Sequence, residues 1–239
     1  MGRHFEVRAA SMQKTAKKKS ALYARASKEI YVAAKQGEKD PNMNLPLRST
    51  IEKYRSQGVP KDIIERAINK AHGIGQEDVQ YIEGRYEAMG NEGWMLIIDT
   101  LSDNVTRAYT FIRSTVNKNN GQMATVNYAF SETGVFVFEG SDYVRVEEAL
   151  ILNDIDLWDT SYNETQIQVQ VNPSDFGKTR DKLIEEFDIK QFAMAEIRMI
   201  AHDKITISKA EEENLQILID KLEELEDVQA IYHNVEFSE

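Results

Sequence analysis

The segment TGVFVFEGSDYVRVEEALI, residues 133–151, contains two hydrophobic periods in one short stretch. Its first half is a β-branched and aromatic run at 135–138, which predicts a buried strand. Its second half carries apolar side chains at helical spacing, which predicts an amphipathic helix. Gly140 separates the two elements. The segment therefore predicts a strand that is followed at once by a helix.

Downstream of this unit the pattern continues in regular order. Strands are predicted near residues 156–160 and 165–171, a helix over 173–187 that is capped by Asn172, and a last strand within 188–201. The element order is then β-α-β-β-α-β, which is the order of the ferredoxin-like fold. Residues 133–202 are therefore predicted to form an inserted ferredoxin-like α/β domain.

Upstream of this unit, residues 79–131 predict a second arrangement of strands and one helix. Strands are expected over 79–87, over 94–101 and over TVNYAF, residues 125–130. The helix begins after Asp103 or Asn104, either of which can cap it. It is expected to stop at a left-handed Gly121. Its inner face is predicted to contain Val105, Tyr109, Ile112 and Val116.

The C-terminal segment 203–239 supplies one helix and one strand but no sheet of its own. Ser208 and Glu211 have the spacing of a capping box, and leucines follow at positions 215, 218, 222 and 225. Because residues 79–131 lack a second helix to cover their sheet, we expect the C-terminal segment to fold back onto them. Residues 76–132 and 203–239 are therefore predicted to form one discontinuous α/β domain.

Residues 1–75 show helical periodicity alone. Helices are predicted over about 8–36, about 44–57 and from Pro60 to about residue 72, with a break at Gly58. Short connections between helices with apolar stripes favour a small bundle. The predicted fold is therefore α+β with three domains, namely an N-terminal helical bundle and two α/β domains, at least one of them ferredoxin-like.

The charge of the chain is divided unevenly. The chain has a formal net charge of -11, yet residues 1–75 carry 16 Lys and Arg against 7 Asp and Glu. The remaining residues carry 13 against 33. Such an asymmetry suggests that the basic region meets a polyanion, while the acidic body limits non-specific binding by repulsion.

The stretch SMQKTAKKKS, residues 11–20, begins a basic stripe on the first helix. On a helical wheel the stripe lies opposite Leu22, Ala26, Ile30 and Ala33, so its lysines are expected to project outward together. A charge run is usually a solvated helix face, but no acidic residue intervenes between residues 7 and 28. Lys19 falls off the stripe. The candidate nucleic-acid-binding residues are Arg3, His4, Arg8, Lys14, Lys17, Lys18, Arg25, Lys28 and Lys35.

Motifs for catalysis or metal binding are absent from the sequence. There is no cysteine, the four histidines are widely spaced, and neither a phosphate-binding loop nor a nucleophile elbow is present. We therefore expect no enzyme activity, catalytic residue, cofactor, metal or small-molecule substrate. No apolar run is long enough for a membrane span and the start lacks a signal peptide, so a cytoplasmic protein is expected.

Several stretches together resemble the YebC/PmpR family of bacterial proteins. The segment DPNMNLPLR, residues 40–48, the segment GVPKDIIERAINKA, residues 58–71, and the ending DVQAIYHNVEF carry the resemblance, together with LSDNVTRA at 101–108. The chain departs from the family at residues 5–8 and 105–108. The resemblance implies three domains. It also implies a DNA-binding transcriptional regulator or, as in other members, a translation factor that associates with ribosomes and eases elongation through proline-rich stretches.

These descriptions leave the partner open between DNA and ribosomal RNA, and a protein-interaction module is a third possibility. The chain shows no clear recognition helix with base-reading residues, so the basic domain is expected to contact phosphates. The resemblance also marks Asp103, Asn104 and Arg107 as a possible conserved surface, although helix capping alone explains an Asp-Asn pair at this position. The oligomeric state is left open.

Overall fold

The computed structural model describes residues 3–74, 79–189 and 191–238, and along the first helix it describes side chains from residue 15 onward. Three helices form the N-terminal part: α1 (Arg3–Lys35), α2 (Leu45–Ser56) and α3 (Lys61–Ala71). The predicted helices are thus present, with α1 beginning earlier than residue 8. Their common core contains Ala26, Ile30, Ala34, Leu47, Ile51, Tyr54, Ile64, Ala67 and Ala71.

The buried Asn44 side chain fixes the connection between α1 and α2. Its Oδ1 accepts a hydrogen bond from the N–H of Leu47 at 3.1 Å, which caps α2. Its amide group donates to the carbonyls of Ala33 and Glu38, both at 3.0 Å. One polar side chain therefore satisfies the end of one helix and the start of the next.

The first sheet has the strand order β3-β1-β2-β8, formed by β1 (Ile82–Gly90), β2 (Met95–Ser102), β3 (Gly121–Met123) and β8 (Val228–His233). Two helices, α4 (Val105–Lys118) and α7 (Lys209–Glu223), pack on it. The last strand in the sequence thus lies beside β2. The shared core contains Trp94, Leu96, Ile98, Ile112, Val116, Leu215, Leu218, Leu222 and Val228.

The second sheet has the order β5-β6-β4-β7, and each neighbouring pair is antiparallel. Its core is supplied by alternation, as in QIQVQV of β6, where the three apolar residues are buried. Two helices pack on its apolar side. The elements are β4 (Phe130–Glu139), α5 (Tyr143–Leu152), β5 (Leu157–Asn163), β6 (Gln166–Val171), α6 (Phe176–Phe187) and β7 (Met194–Ala201).

The chain divides into two compact units. The first contains the residues up to Val126 with Ile205–Ile231 and the residues from Val235, and the second contains Asn127–Lys204 with Tyr232–Asn234. The three-domain boundaries drawn from the sequence stay a prediction. No helix among the described residues has both the length and the apolarity needed to cross a membrane.

Two expectations about loops were wrong. The stretch TVNYAF is not a strand: residues 127–129 form a 3-10 turn and Phe130 begins β4. The N–H of Val126 is bonded by the carboxylate of Glu87, so it needs no neighbouring strand. The left-handed residue after α4 is Asn120, with φ of 62°, and not Gly121, which starts β3.

The inner face of α4 also differs from its prediction. Ala108, Ile112 and Val116 are buried, whereas Val105 and Tyr109 are 41% and 38% exposed. The small Ala108 lets the helix approach the sheet at that point. The ring of Tyr109 contacts Tyr86 instead, with 5.7 Å between the ring centres.

Candidate nucleic-acid interface

The basic side of α1 lies against the end of α7 and the turn that follows it. The Nζ of Lys18 is 2.6 Å from Oδ1 of Asp220 and 3.3 Å from Oε2 of Glu223. The Nζ of Lys17 is 3.6 Å from Oε2 of Glu224. The paired residues are about 200 positions apart in the chain. These ion pairs are therefore tertiary contacts within the first unit.

One turn of α1 beyond Arg25, Lys28 makes the most enclosed of these contacts. Its Nζ is 2.6 Å from Oδ1 of Asp227, and the two side chains are 12% and 10% exposed. It also donates to the carbonyl of Glu226 at 2.9 Å. A second cation, Arg107, reaches the same carboxylate, at 3.2 Å from Oδ2. One acid is thus shared by two cations from different helices.

The charges in this cluster stabilise one another. Burial by itself would raise the pKa of the Asp227 carboxyl, because its charged form loses solvation. The hydrogen bonds and charges of Lys28 and Arg107 outweigh this effect, so the pKa lies below the ordinary value of 3.8. The pKa of Arg107 is raised, first by its hydrogen bond to Asp103 and then by the one to Asp227. Asp227 and Arg107 are therefore both charged at neutral pH.

The three residues of the possible conserved surface belong to this cluster. The side chain of Asn104 accepts from the N–H of Arg107 at 2.9 Å and caps α4. Asp103 accepts from the guanidinium of Arg107 at 2.7 Å. Through Arg107 they are joined to Asp227, and so to α1. Sequence reasoning identified the cap, but it did not connect these residues to Lys28.

The other residues of the predicted stripe differ in their surroundings. Arg25 donates to the carbonyl of Glu223 at 3.4 Å, and Lys35 is exposed at the end of α1. Lys28 does not project outward as expected, because the turn after α7 covers it. The side chains of Arg3, His4, Arg8 and Lys14 lie outside the described part of the chain. The role of the stripe in nucleic-acid binding stays a prediction.

Lys19, which falls off the stripe, is exposed. Its Nζ lies 5.6 Å from the centre of the Tyr23 ring, within the range of a cation–π contact. The bundle core begins on α1 with Leu22 and Tyr23. Lys19 therefore continues the apolar side of the helix one turn before the bundle starts to cover it.

Sequence reasoning missed the acidic partners of the stripe. The run DKLEELED, residues 220–227, carries five carboxylates and one lysine. Its signal was visible as a local excess of charge opposite in sign to that of α1. The leucines of α7 correctly predict a helix that covers a sheet. Their spacing gives no information about what the polar side of α7 contacts. The carboxylates of Asp220, Glu223, Glu224 and Asp227 pair with the stripe, and Glu226 contributes its backbone carbonyl.

The described residues contain no group of three or more His, Asp or Glu placed to hold a metal ion. A cleft of about 290 Å³ opens beside α1, near the lower end of the volumes of small-molecule sites. Its lining is charged or small except for one leucine, and consists of Lys17, Ser20, Ala21, Lys221, Glu224, Leu225 and Glu226. Its chemistry is that of the ion pairs already described.

Two family models match the chain. The model described as the TACO1/YebC protein N-terminal domain matches residues 3–74. The model described as the TACO1/YebC second and third domain matches residues 81–235. Together they cover the helical part and both sheets.

Relatives of similar length have names that point to gene regulation. A probable transcriptional regulatory protein of Mesoplasma florum is 45% identical over 237 residues, which covers 98% of this chain and 99% of the relative. A protein of the same description in Mycoplasma capricolum is 43% identical over 239 residues, covering 99% and 100%. The crystal structure of a conserved hypothetical protein from Aquifex aeolicus is 25% identical, has a TM-score of 0.74, and covers 92% of this chain and 91% of its own.

Proposed function

Since the chain belongs to the TACO1/YebC family, we propose that it regulates gene expression, without catalysis, by binding nucleic-acid phosphates through its helical N-terminal part. Membership in this family confirms the resemblance inferred from residues 40–48, 58–71 and 101–108 and from the stretch DVQAIYHNVEF. The observation that carries the proposal is the excess of 16 basic over 7 acidic residues in the first 75 positions of an acidic chain. The names of the relatives favour a DNA-binding transcriptional regulator.

Exposed cations of the helical part suit contacts with phosphates. Lys19 is exposed on α1, and Arg48 and Arg55 are exposed on α2. Lysine contacts a phosphate as a point charge, whereas arginine can bind it with two parallel hydrogen bonds. Contacts of this kind position a protein on nucleic acid without reading its bases. The proposal therefore predicts strong salt dependence and weak sequence preference for this part of the chain.

A translation factor that associates with ribosomal RNA is the second candidate. The observation that favours it is the confinement of the basic excess to the helical part of an acidic chain, a charge distribution that suits an RNA surface recognised by shape and phosphate. The acidic body also disfavours docking along an extended duplex, because like charges repel. The two candidates differ in partner and share the same basic surface.

The structure decides which lysines are useful in a test. Replacing Lys18 or Lys28 by glutamate would place a new carboxylate against Asp220 or Asp227, so a loss of binding could reflect a damaged fold. The variant Lys14→Glu with Lys19→Glu keeps Lys18 and Lys28, so the ion pairs with Asp220 and Asp227 stay in place. The control variant Lys204→Glu with Lys209→Glu reverses two exposed lysines elsewhere and changes the net charge equally.

The experiment measures the affinity of the full chain for a labelled DNA duplex and for a labelled single-stranded RNA over a range of salt concentrations. We expect the Lys14/Lys19 variant to bind several-fold more weakly, with the salt slope reduced by about 1 for each lost phosphate contact. Equal affinities of this variant and the control would refute the proposal. Co-sedimentation with ribosomes, with preference for RNA over the duplex, would favour the translation factor.

We also propose that the second unit has the ferredoxin-like fold. The order β5-β6-β4-β7 and the β-α-β-β-α-β sequence of its elements support this assignment. In this fold the sheet is antiparallel with both helices on one side. An experimental structure of residues 127–204 with a different strand order would contradict it.

A further inference from the structure

The acidic segment of residues 220–227 comprises the last turn of α7 and the turn that follows it, and it lies beside α1. Within eight positions, residues 220–227, five side chains carry carboxylates. Three of these carboxylates lie within 3.6 Å of Lys17 or Lys18. A nucleic-acid strand would offer the same lysines a comparable row of negative oxygen atoms. The carboxylates therefore pair with the ammonium groups of Lys17 and Lys18 as the phosphates of the proposed ligand would.

The contacts differ in how accessible they are to a competitor. The pair between Lys28 and Asp227 is nearly buried, and both partners make further hydrogen bonds. The side chains of Lys17 and Lys18 are 57% and 40% exposed, although both are paired. Exposed ion pairs contribute little individually, because solvent competes with them. Lys17 and Lys18 can therefore exchange partners while Lys28 holds the helix in place.

We propose that residues 220–224 are an internal competitor that occupies Lys17 and Lys18 until nucleic-acid phosphates displace them. This regulation rests on the proposed function, because it acts on the same basic surface. The ligand is a polyanion with several adjacent phosphates, since a single phosphate replaces only one of the carboxylates. A short or weakly charged ligand would not displace the carboxylates from the two lysines.

Displacement requires movement of side chains and not of helices. Leu215, Leu218 and Leu222 anchor α7 in the core of the first unit, with exposures of 1% or less. On α1, Ala26 and Ile30 are fully buried in the bundle. Both helices are therefore fixed, and the lysine side chains rotate from carboxylate to phosphate. The competitor remains close to α1 and can return as soon as the ligand leaves.

This arrangement has a distinctive dependence on salt. Binding of lysines to nucleic acid weakens as salt rises, because counterions released into a more concentrated salt solution gain less entropy. The internal ion pairs weaken as well, which lowers the cost of opening them. The two effects oppose each other in the intact protein. Affinity should therefore fall less steeply with salt in the wild type than in a variant without the internal competitor.

The test compares two variants with the same change in net charge. Asp220→Asn, Glu223→Gln and Glu224→Gln neutralise the competitor with side chains of nearly the same size. Asp181→Asn, Glu185→Gln and Glu186→Gln neutralise three exposed carboxylates of α6 in the second unit. The probes are a labelled DNA duplex and a labelled single-stranded RNA, measured against the full chain at low and at moderate salt.

The first variant is expected to bind one of the probes about 3- to 10-fold more tightly at low salt, because exposed pairs are individually weak. Its salt slope should be steeper than that of the wild type. The α6 variant should gain much less. Which probe shows the gain distinguishes DNA from RNA as the source of the phosphates.

A second measurement reports the contact without any nucleic acid. The pKa of the Lys18 ammonium is raised, chiefly by its hydrogen bond to Asp220. A smaller fraction of Lys18 is therefore in the neutral amine form that an acetylating reagent attacks. Lys18 should therefore acetylate more slowly than its exposed neighbour Lys19 in the wild type. The difference should disappear in the variant that neutralises Asp220, Glu223 and Glu224, and it should persist in the α6 variant.

The outcomes separate the two proposals. If the wild type binds a probe and the competitor variant binds it no more tightly than the α6 variant does, the internal competitor is refuted while the proposed function stands. If no variant binds either probe, the proposed function is wrong and the competition falls with it. Equal acetylation of Lys18 and Lys19 in the wild type would refute the contact itself.

Discussion

The Nζ of Lys28 lies 2.6 Å from Oδ1 of Asp227, and this pair connects the last third of α1 to the turn before β8. Because Arg107 shares the same carboxylate, the first helix, α4 and the last strand meet at a single acidic side chain. The contact is nearly buried, so its loss leaves a charge with little solvent to compensate it. The cluster of Lys28, Asp227 and Arg107 therefore contributes to stability and also holds the basic side of α1 in position.

Removing the lysine of this pair should destabilise the protein. We expect Lys28→Met to lower the free energy of unfolding by roughly 2 kcal/mol, less than the ~3–5 kcal/mol of a fully buried pair, because Arg107 still neutralises Asp227. Lys61→Met is the matched control, since the pair of Lys61 with Glu65 is exposed at 75% and 59%. Urea unfolding checks the difference, and equal stabilities of the two variants would contradict the burial argument.

Stability should also depend on pH through Asp227. Its pKa is depressed in the folded state by Lys28 and Arg107, against the opposing effect of burial. A depressed carboxyl pKa contributes stability that is present above the ordinary value of 3.8 and is lost as pH falls through the folded pKa. The stability difference between wild type and Asp227→Asn should therefore be largest near about pH 7 and shrink below about pH 4. Asp181→Asn, which changes an exposed residue of α6, should show no such trend.

The indole of Trp94 and the carboxylate of Glu211 form a buried polar pair. The indole N–H donates to Oε1 of Glu211 at 2.8 Å, and Trp94 is fully buried. Glu211→Ala should cost about 1–3 kcal/mol because it leaves this N–H without an acceptor, whereas Glu211→Gln keeps one and should cost less. The chain has two tryptophans, so Trp94 fluorescence in a Trp158→Phe background reports urea unfolding of the first unit. Equal losses in the two variants would argue against the hydrogen bond.

Two glycines make room for the same ring. A Cβ at Gly90 would lie 2.0 Å from Cζ2 of Trp94, and one at Gly121 would lie 2.7 Å from the ring. Gly90→Ala should therefore be strongly destabilising, by about 1–3 kcal/mol as in other overpacked cores. Gly177→Ala is the control: it lies in α6 with nothing within 4 Å of the added Cβ, and it should stabilise by up to about 1 kcal/mol. Circular dichroism during thermal unfolding checks both signs.

Features that depend on neighbours in sequence could be predicted well. Asn104 and Ser208 cap their helices as expected, because a cap bonds an N–H three residues away and needs no other part of the chain. The predicted bond from the Ser208 N–H to the Glu211 carboxylate, which would complete the capping box, was wrong, because that carboxylate accepts from the indole N–H of Trp94. The carboxylate of Glu92 takes its place and accepts from the N–H of Ser208 at 2.6 Å. A local motif was thus completed by a residue 116 positions earlier.

The lysine stripe shows the same limit. A helical wheel correctly placed Ala26 and Ile30 in the core, since periodicity alone identifies the apolar side of a helix. It could not identify what lies against the opposite side, because Asp220 and Asp227 meet α1 only through the tertiary fold. For the same reason, sequence reasoning assigned Lys28 to solvent. Charge complementarity between distant segments was the one signal that could have joined them.

The strand order β3-β1-β2-β8 places the last strand of the chain beside one of the first, and this has a consequence for biosynthesis. The edge of β2 emerges from the ribosome well before Val228, so it waits about 6–25 s for its partner at ordinary elongation rates of ~5–20 residues per second. During that interval the nascent chain also displays α1 without its acidic counterpart. Protease treatment of stalled nascent chains should find the first unit open until the C-terminal segment has emerged. The protein is thus most basic in its accessible surface while it is still being translated.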